Sequence, residues 1–199
     1  MDETWYDNMD KGSIFYTIGH STRSVTELVR LLRGVGADFI VDVRSIPRSR
    51  TNPQFNADTL PDTLAGERIG YRHVARLGGL RRRHKGQAVS GYGFWENASF
   101  RNYADYAATP DFGAGMAELY DIGRDHVCAC VRVCVRACAI MCAEAVWWRC
   151  HRRIITDYLL ADGHPVFHIM GPGKIERANL TPAAARQADG TLQYAGSGA

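Results

Sequence analysis

Ser13 to Val43, S-I-F-Y-T-I-G-H-S-T-R-S-V-T-E-L-V-R-L-L-R-G-V-G-A-D-F-I-V-D-V, decides the fold. Ser13 to Ile18 is a dense β-favouring run closed by Gly19, and it reads as a strand. Ser24 with Glu27 three residues on forms a capping box, and Val25, Leu28, Val29, Leu32 and Val35 recur at the spacing of one helical face. Gly34 and Gly36 stop that helix. Phe39 to Val43 is nearly continuous apolar sequence, the pattern of a strand covered on both faces of a parallel sheet. Strand, helix and strand within about 30 residues make a βαβ unit. The chain is therefore read as α/β, a single Rossmann-like domain with a mostly parallel sheet flanked by helices.

Downstream the alternation continues. Arg44 to Phe55 is a loop held extended by Pro47 and Pro53, Asp58 to Leu64 a short helix, and Ile69 to Val74 a third strand. Leu77 to Asn97 is a glycine- and arginine-rich loop long enough to expect a function. Phe100 to Ala108 and Asp111 to Ile122 read as helices split by Thr109-Pro110. Val127 to Val135 has a period of two; carried through Cys142 it exceeds the usual strand of about 5–6 residues, so a turn or bulge is expected inside it. A helix from Trp147 or Trp148 to Ala161, a strand from Val166 to Met170, a helical turn after Thr181-Pro182 and a hairpin-like piece at Gly190 to Tyr194 complete the chain. One domain over 13–194 is expected between disordered ends at 1–12 and 195–199.

A chain of 199 residues can bury a core without disulfide staples. No apolar run reaches the roughly 18 residues of a membrane span, and the acidic N-terminus lacks the order of a secretory signal, so a cytoplasmic protein is expected. All six cysteines lie between Cys128 and Cys150, which suits reduced thiols better than a secreted disulfide framework. The net charge is only +3, but arginines crowd Arg44 to Arg101. That segment is either an anion-facing surface or a solvated face.

In open α/β sheets, ligands bind beyond the carboxyl ends of the strands. If the strands here are parallel, His20 and Ser21, then Asp42 and Arg44, then Cys142 and Glu144 share one edge. Cys150 and His151 join them at the start of the next helix, where the dipole favours a thiolate. His20, Asp42 and Glu144 are candidate acid/base groups and Cys150 a candidate nucleophile. Ser21, Arg44, Arg48, Cys142, His151 and Arg152 are candidate ligand-binding residues, the guanidiniums suiting a phosphate. Asp42 paired with Arg44 or Arg48 would equally serve as an internal ion pair. Cys142, Cys150, His151 and His20 could supply zinc donors, yet there is no C-x-x-C pair and neighbours 150 and 151 seldom share an ion. No metal or cofactor is expected. Walker, dinucleotide and serine-elbow patterns are absent.

T-I-G-H-S, V-D-V-R-S-I-P-R-S, N-P-Q-F, L-G-G-L-R-R, A-S-F-R-N-Y-A-D-Y and M-C-A-E-A-V-W-W-R-C-H-R-R, in this order, resemble the domain-of-unknown-function 488 (DUF488) family. The resemblance runs from about Ile14 to Tyr194. It implies one Rossmann-like domain whose defining residues match His20, Ser21, Asp42, Arg44, Pro47, Arg48, Phe55, Gly78, Gly79, Cys142, Glu144, Cys150, His151 and Arg152, and it implies no reaction. Here V-C-A-C-V-R-V-C-V-R-A-C lengthens the segment before M-C-A-E beyond the family pattern, and leaves the strand register open over 127–140. The residues point to an enzyme acting on a phosphate-bearing partner, a nucleotide or nucleic acid, away from membranes. The rival readings are a non-catalytic nucleic-acid-binding module using 44–101, and a thiol redox or metal-binding protein.

Overall fold

The computed structural model describes residues 13–82, 93–125 and 137–196. The expected disordered lead-in 1–12, the last three residues of the expected disordered end, the period-two run 127–135 and the middle of the arginine-rich loop, 83–92, lie outside the described residues.

β1 (Phe15–Gly19), α1 (Val25–Arg33) and β2 (Ala37–Asp42) form the βαβ unit that the opening stretch encodes. Ser24 caps α1 by accepting a hydrogen bond from the Glu27 N–H at 3.1 Å, and Gly36 turns the chain into β2 at φ 70. α2 (Leu60–Gly66) follows, with Pro61 inside its first turn, where a missing N–H costs nothing. Then come β3 (Gly70–His73), α3 (Ala98–Ala107), α4 (Pro110–Asp125), β4 (Ala137–Cys142), α5 (Arg152–Ala161) and β5 (Val166–Gly171).

Strands β1 to β5 are parallel, and β6 (Lys174–Arg177) adds an antiparallel edge, giving the order β3-β2-β4-β1-β5-β6. This is the mostly parallel α/β sheet expected. Helices cover both faces. Ile18, Leu28, Leu32, Ile40, Leu64 and Met141 pack on the α1 and α2 side; Phe15, Val41, Leu119, Ile140, Ile155 and Tyr158 pack on the α3 to α5 side. β4 lies between β2 and β1 with all six residues buried, which explains its small apolar sequence A-C-A-I-M-C.

One helix boundary needs correction, and one edge strand was not foreseen. The helix expected from Trp147 or Trp148 begins only at Arg152, because Cys150 is extended (φ −127, ψ 144) and separates it from a single 3-10 turn at Trp147–Arg149. The turn expected after Thr181-Pro182 is a single hydrogen-bonded one, the Ala184 N–H donating to the Thr181 carbonyl at 2.8 Å, and β7 (Ala184–Arg186) then pairs with β8 (Leu192–Tyr194) as a hairpin turning at Gly190, φ 83. Asp157 of α5 holds that hairpin, accepting from the Thr181 N–H at 2.8 Å and the Tyr194 hydroxyl at 3.1 Å. β6 went unforeseen because K-I-E-R is a short, exposed edge with no apolar alternation.

Candidate active site

Parallel pairing brings three strand ends to one edge. Gly19 lies opposite Cys142 and Asp42 opposite Met141. Beyond the ladder the His20 N–H donates to the Cys142 carbonyl at 2.9 Å and the Ser21 N–H to the Ala143 carbonyl at 3.0 Å. A Cβ on Gly19 would fall 1.8 Å from the Glu144 carbonyl oxygen, so only glycine lets these two ends meet. Ser21 takes φ 49, a left-handed conformation that a non-glycine residue holds only against a cost of about 1–2 kcal/mol.

His20, Asp42 and Arg44 form a closed network beneath that edge. Asp42 Oδ1 accepts from the Arg44 backbone N–H and Nε at 3.0 and 2.9 Å, and Oδ2 accepts from Arg44 Nη2 at 2.6 Å and the Tyr71 hydroxyl at 2.7 Å. Arg44 Nη2 also donates to the Phe55 carbonyl at 2.6 Å. His20 Nδ1 faces the Ser21 carbonyl at 2.9 Å and Nε2 faces Arg44 Nη1 at 3.3 Å. A carbonyl can only accept and a guanidinium can only donate, so the proton sits on Nδ1 and the imidazole is neutral. Burial first, and the Arg44 charge against the opposing pull of the Ser21 carbonyl, lower the His20 pKa from 6.5 to about 4.

A depressed histidine pKa contributes stability that is complete above its unfolded value and is lost as pH falls. The urea midpoint is therefore expected to drop between about pH 6.5 and 4. His20→Gln, which cannot titrate, should show a smaller drop; His168, also lowered to about 4 by burial and then Arg152, adds to the drop, while Asp157, raised to about 6 by burial, offsets part of it. Equal drops in both proteins would show that His20 carries none of it.

A second group of side chains opens outward. Cys142, Cys150, His151, Glu144, Arg149 and Tyr103 line a cavity of about 350 Å³, with Ile46 and Leu80 among its exposed lining. His151 Nε2 donates to the Val43 carbonyl at 3.0 Å, which leaves Nδ1 toward both sulfurs, 3.6 Å from Cys150 Sγ and 3.9 Å from Cys142 Sγ. Arg152, only 1% exposed, donates through Nε to Cys150 Sγ at 3.3 Å and through Nη2 to the Glu144 carbonyl at 2.6 Å. Burial pushes the Cys150 thiol up, but the Cys142 hydrogen bond and the charges of His151 and Arg152 outweigh it and hold Cys150 well below the ordinary thiol range. Cys142 moves the opposite way, raised by its hydrogen bond to Cys150 and then by burial.

The family model described as the domain of unknown function DUF488 matches residues 24–159, more than half of the 199-residue chain. The chain belongs to this family. No curated protein and no solved structure matches it. The DUF488 match spans Asp42 to Arg152, so His20 and Ser21 are the two candidate site residues outside it.

In this DUF488 chain the candidate residues divide into two sets. Cys142, Glu144, Cys150 and His151 share the cavity, and Arg152 backs it. Arg44 reaches its lining, but Nε and Nη2 are taken by Asp42 and Phe55, while His20, Ser21 and Asp42 lie outside the lining. Arg48 is brought to neither set: it is exposed and 3.7 Å from Asp58. Gly78 and Gly79 find their reason in close approach, since a Cβ would meet Ser45 Oγ at 2.6 Å or His151 Nδ1 at 2.3 Å. Arg149, Tyr71 and Tyr103 were not foreseen. Arg149 stands inside W-W-R-C-H-R-R and was readable there; nothing in the sequence aims the two tyrosines.

The arrangement bears on two rival readings. Cys142, Cys150 and His151 offer three donor atoms within 4.8 Å of one another, but His20, the fourth zinc donor considered, is turned onto Arg44 and Ser21. A dication there would also sit beside the buried Arg152 guanidinium, which already bonds Cys150. For nucleic acid, four described arginines of 44–101 serve the protein itself: Arg44 pairs with Asp42, Arg76 with Asp111, Arg101 donates to the Trp95 and Glu96 carbonyls, and Arg81 lies 3.6 Å over the Tyr106 ring, whereas Arg50, Arg68, Arg72 and Arg82 are exposed.

Proposed function

We propose that this cavity is the active site of a thiol-dependent enzyme acting on a phosphate-bearing ligand, with Cys150 as nucleophile. The observation that carries the reading is Arg152. It is a fully buried guanidinium, and among the described residues no carboxylate oxygen lies within 4 Å of it. A buried cation needs an anion, and Cys150 Sγ is the group it meets. Cys150 also lies just before the N-terminus of α5, which favours negative charge.

The chemistry then follows from the lining. The Cys150 thiolate attacks phosphorus, forming the S–P bond as the P–O bond to the leaving group breaks. Glu144, exposed in the cavity, gives the leaving oxygen its proton and afterwards takes one from the water that cleaves the S–P bond, restoring the thiolate. Arg149 is exposed, lines the cavity and makes no ion pair among the described residues, so the anion grip expected of Arg48 passes to it.

4-Nitrophenyl phosphate and a set of nucleoside monophosphates test the reading. Wild type is expected to release the leaving group and to form a phosphate adduct on Cys150, visible by mass spectrometry; Glu144→Gln should accumulate the adduct and Cys150→Ser form none. Loss of one well-placed acid/base group should slow turnover by about 10²–10⁴-fold. Equal turnover by Cys150→Ser, or no turnover of any member by wild type, removes the proposal.

A further inference from the structure

The cavity holds two sulfurs where one nucleophile would suffice. Cys142 ends β4 and Cys150 precedes α5, and their Sγ atoms and His151 Nδ1 all lie within 4.8 Å of one another. Both thiols are free, and both line the cavity. Cys138, also free and buried, lies four residues upstream on β4 and lines no part of it.

We infer that Cys142 and Cys150 form a two-electron redox centre that reduces an organic hydroperoxide, with Cys150 as the attacking sulfur and Cys142 as the resolving one. The inference rests on the Cys150 thiolate of the reading above, but not on its phosphate ligand. Arg152 fixes which sulfur attacks, since its Nε bonds Cys150 and not Cys142. Cys142 Sγ lies within 4.8 Å of Cys150 Sγ and so is placed to resolve it. A disulfide requires the sulfurs to close to about 2.05 Å, and the intervening loop contains only one 3-10 turn to displace.

The step balances without a metal. The thiolate attacks the terminal oxygen of R–O–O–H, the S–O bond forms as the O–O bond breaks, and the alkoxide takes a proton from solvent and leaves as the alcohol. Cys142 then attacks the Cys150 sulfenic acid; the S–S bond forms as the S–O bond breaks, and the hydroxide leaves as water with the Cys142 proton. Two thiols are oxidised, one peroxide bond is reduced, and an external dithiol returns the disulfide to the thiols. Ile46 and Leu80, 66% and 74% exposed, stand with Phe100 in the lining and give an apolar R group a surface to cover.

The full chain, reduced and freed of reductant, is mixed with one equivalent of cumene hydroperoxide and mapped by non-reducing peptide mass spectrometry. One peroxide consumed per chain, a Cys142–Cys150 crosslink reversed by dithiothreitol, and reaction about tenfold faster than with hydrogen peroxide support the inference. Cys142→Ser should stop at a Cys150 sulfenic acid trapped by dimedone. A crosslink between other cysteines, no crosslink, or a rate no faster than with hydrogen peroxide overturns it on wild-type protein alone, whatever the variants do. A crosslink without any phosphate adduct would remove the phosphate reading and leave this one standing; an adduct without a crosslink would do the reverse.

Discussion

Replacing Arg152 by leucine is expected to shift Cys150 toward an ordinary thiol. The guanidinium is the cation bonded to its sulfur at 3.3 Å and is itself sealed from water. Without it, burial, which already pushes the thiol up, is opposed only by the Cys142 hydrogen bond and by His151, and the thiol rises. At pH 6 an ordinary thiol is less than about 1% ionised, and although a more basic thiolate is intrinsically more nucleophilic, alkylation by iodoacetamide should slow by roughly tenfold or more. Stability should fall as well, by about 3 kcal/mol, at the lower end of what a broken buried pair costs because Cys150 can escape by taking a proton. The double variant Arg152→Leu with Cys150→Ala should lose less than the two single losses combined. An unchanged alkylation rate at pH 6 would show that Arg152 does not set the charge of Cys150.

The fold was legible because its signals are local and agree with one another. The capping box at Ser24, the apolar run at Phe39 and the period of Ile154, Ile155, Tyr158 and Leu159 each depend on neighbours in sequence. The site was legible only as far as parallel strands collect their carboxyl ends, which put Cys142, Glu144, Cys150 and His151 together correctly. The partners of the cations were legible only in part: an Asp42 ion pair with Arg44 or Arg48 was one reading, and it is Arg44 that makes it. Arg44, Arg48 and Arg152 look alike in sequence, yet one is locked to Asp42, one is exposed beside Asp58 and one is aimed at a sulfur. Which oxygen or sulfur meets each guanidinium depends on residues 2, 10 and 2 positions away in sequence and on side-chain direction, and periodicity carries no such information. The same limit hid Tyr71, whose hydroxyl reaches Asp42 across the β2–β3 pair.

The Asp42–Arg44 pair supplies the second large effect, and it separates a framing role for Asp42 from the acid/base role considered from sequence. Asp42 is fully buried and spends its oxygens on Arg44 and Tyr71, so it touches nothing in the cavity. Asp42→Ala leaves the Arg44 guanidinium, 6% exposed, with only neutral partners, the Phe55 carbonyl, His20 and the Tyr71 hydroxyl. Unlike a thiol, a guanidinium cannot shed its charge, so the expected loss is the full 3–5 kcal/mol or so of an orphaned buried ion. A second change that removes the cation, Asp42→Leu with Arg44→Met, should recover more than half of that loss in urea unfolding, because an apolar pair of similar volume meets no charge-burial cost. If Asp42 were instead a proton donor to substrate, Asp42→Asn would abolish turnover while leaving the unfolding midpoint where it was. A single Asp42→Ala variant as stable as wild type would show that the pair does not hold the edge on which Gly19, His20 and the Cys142 loop converge.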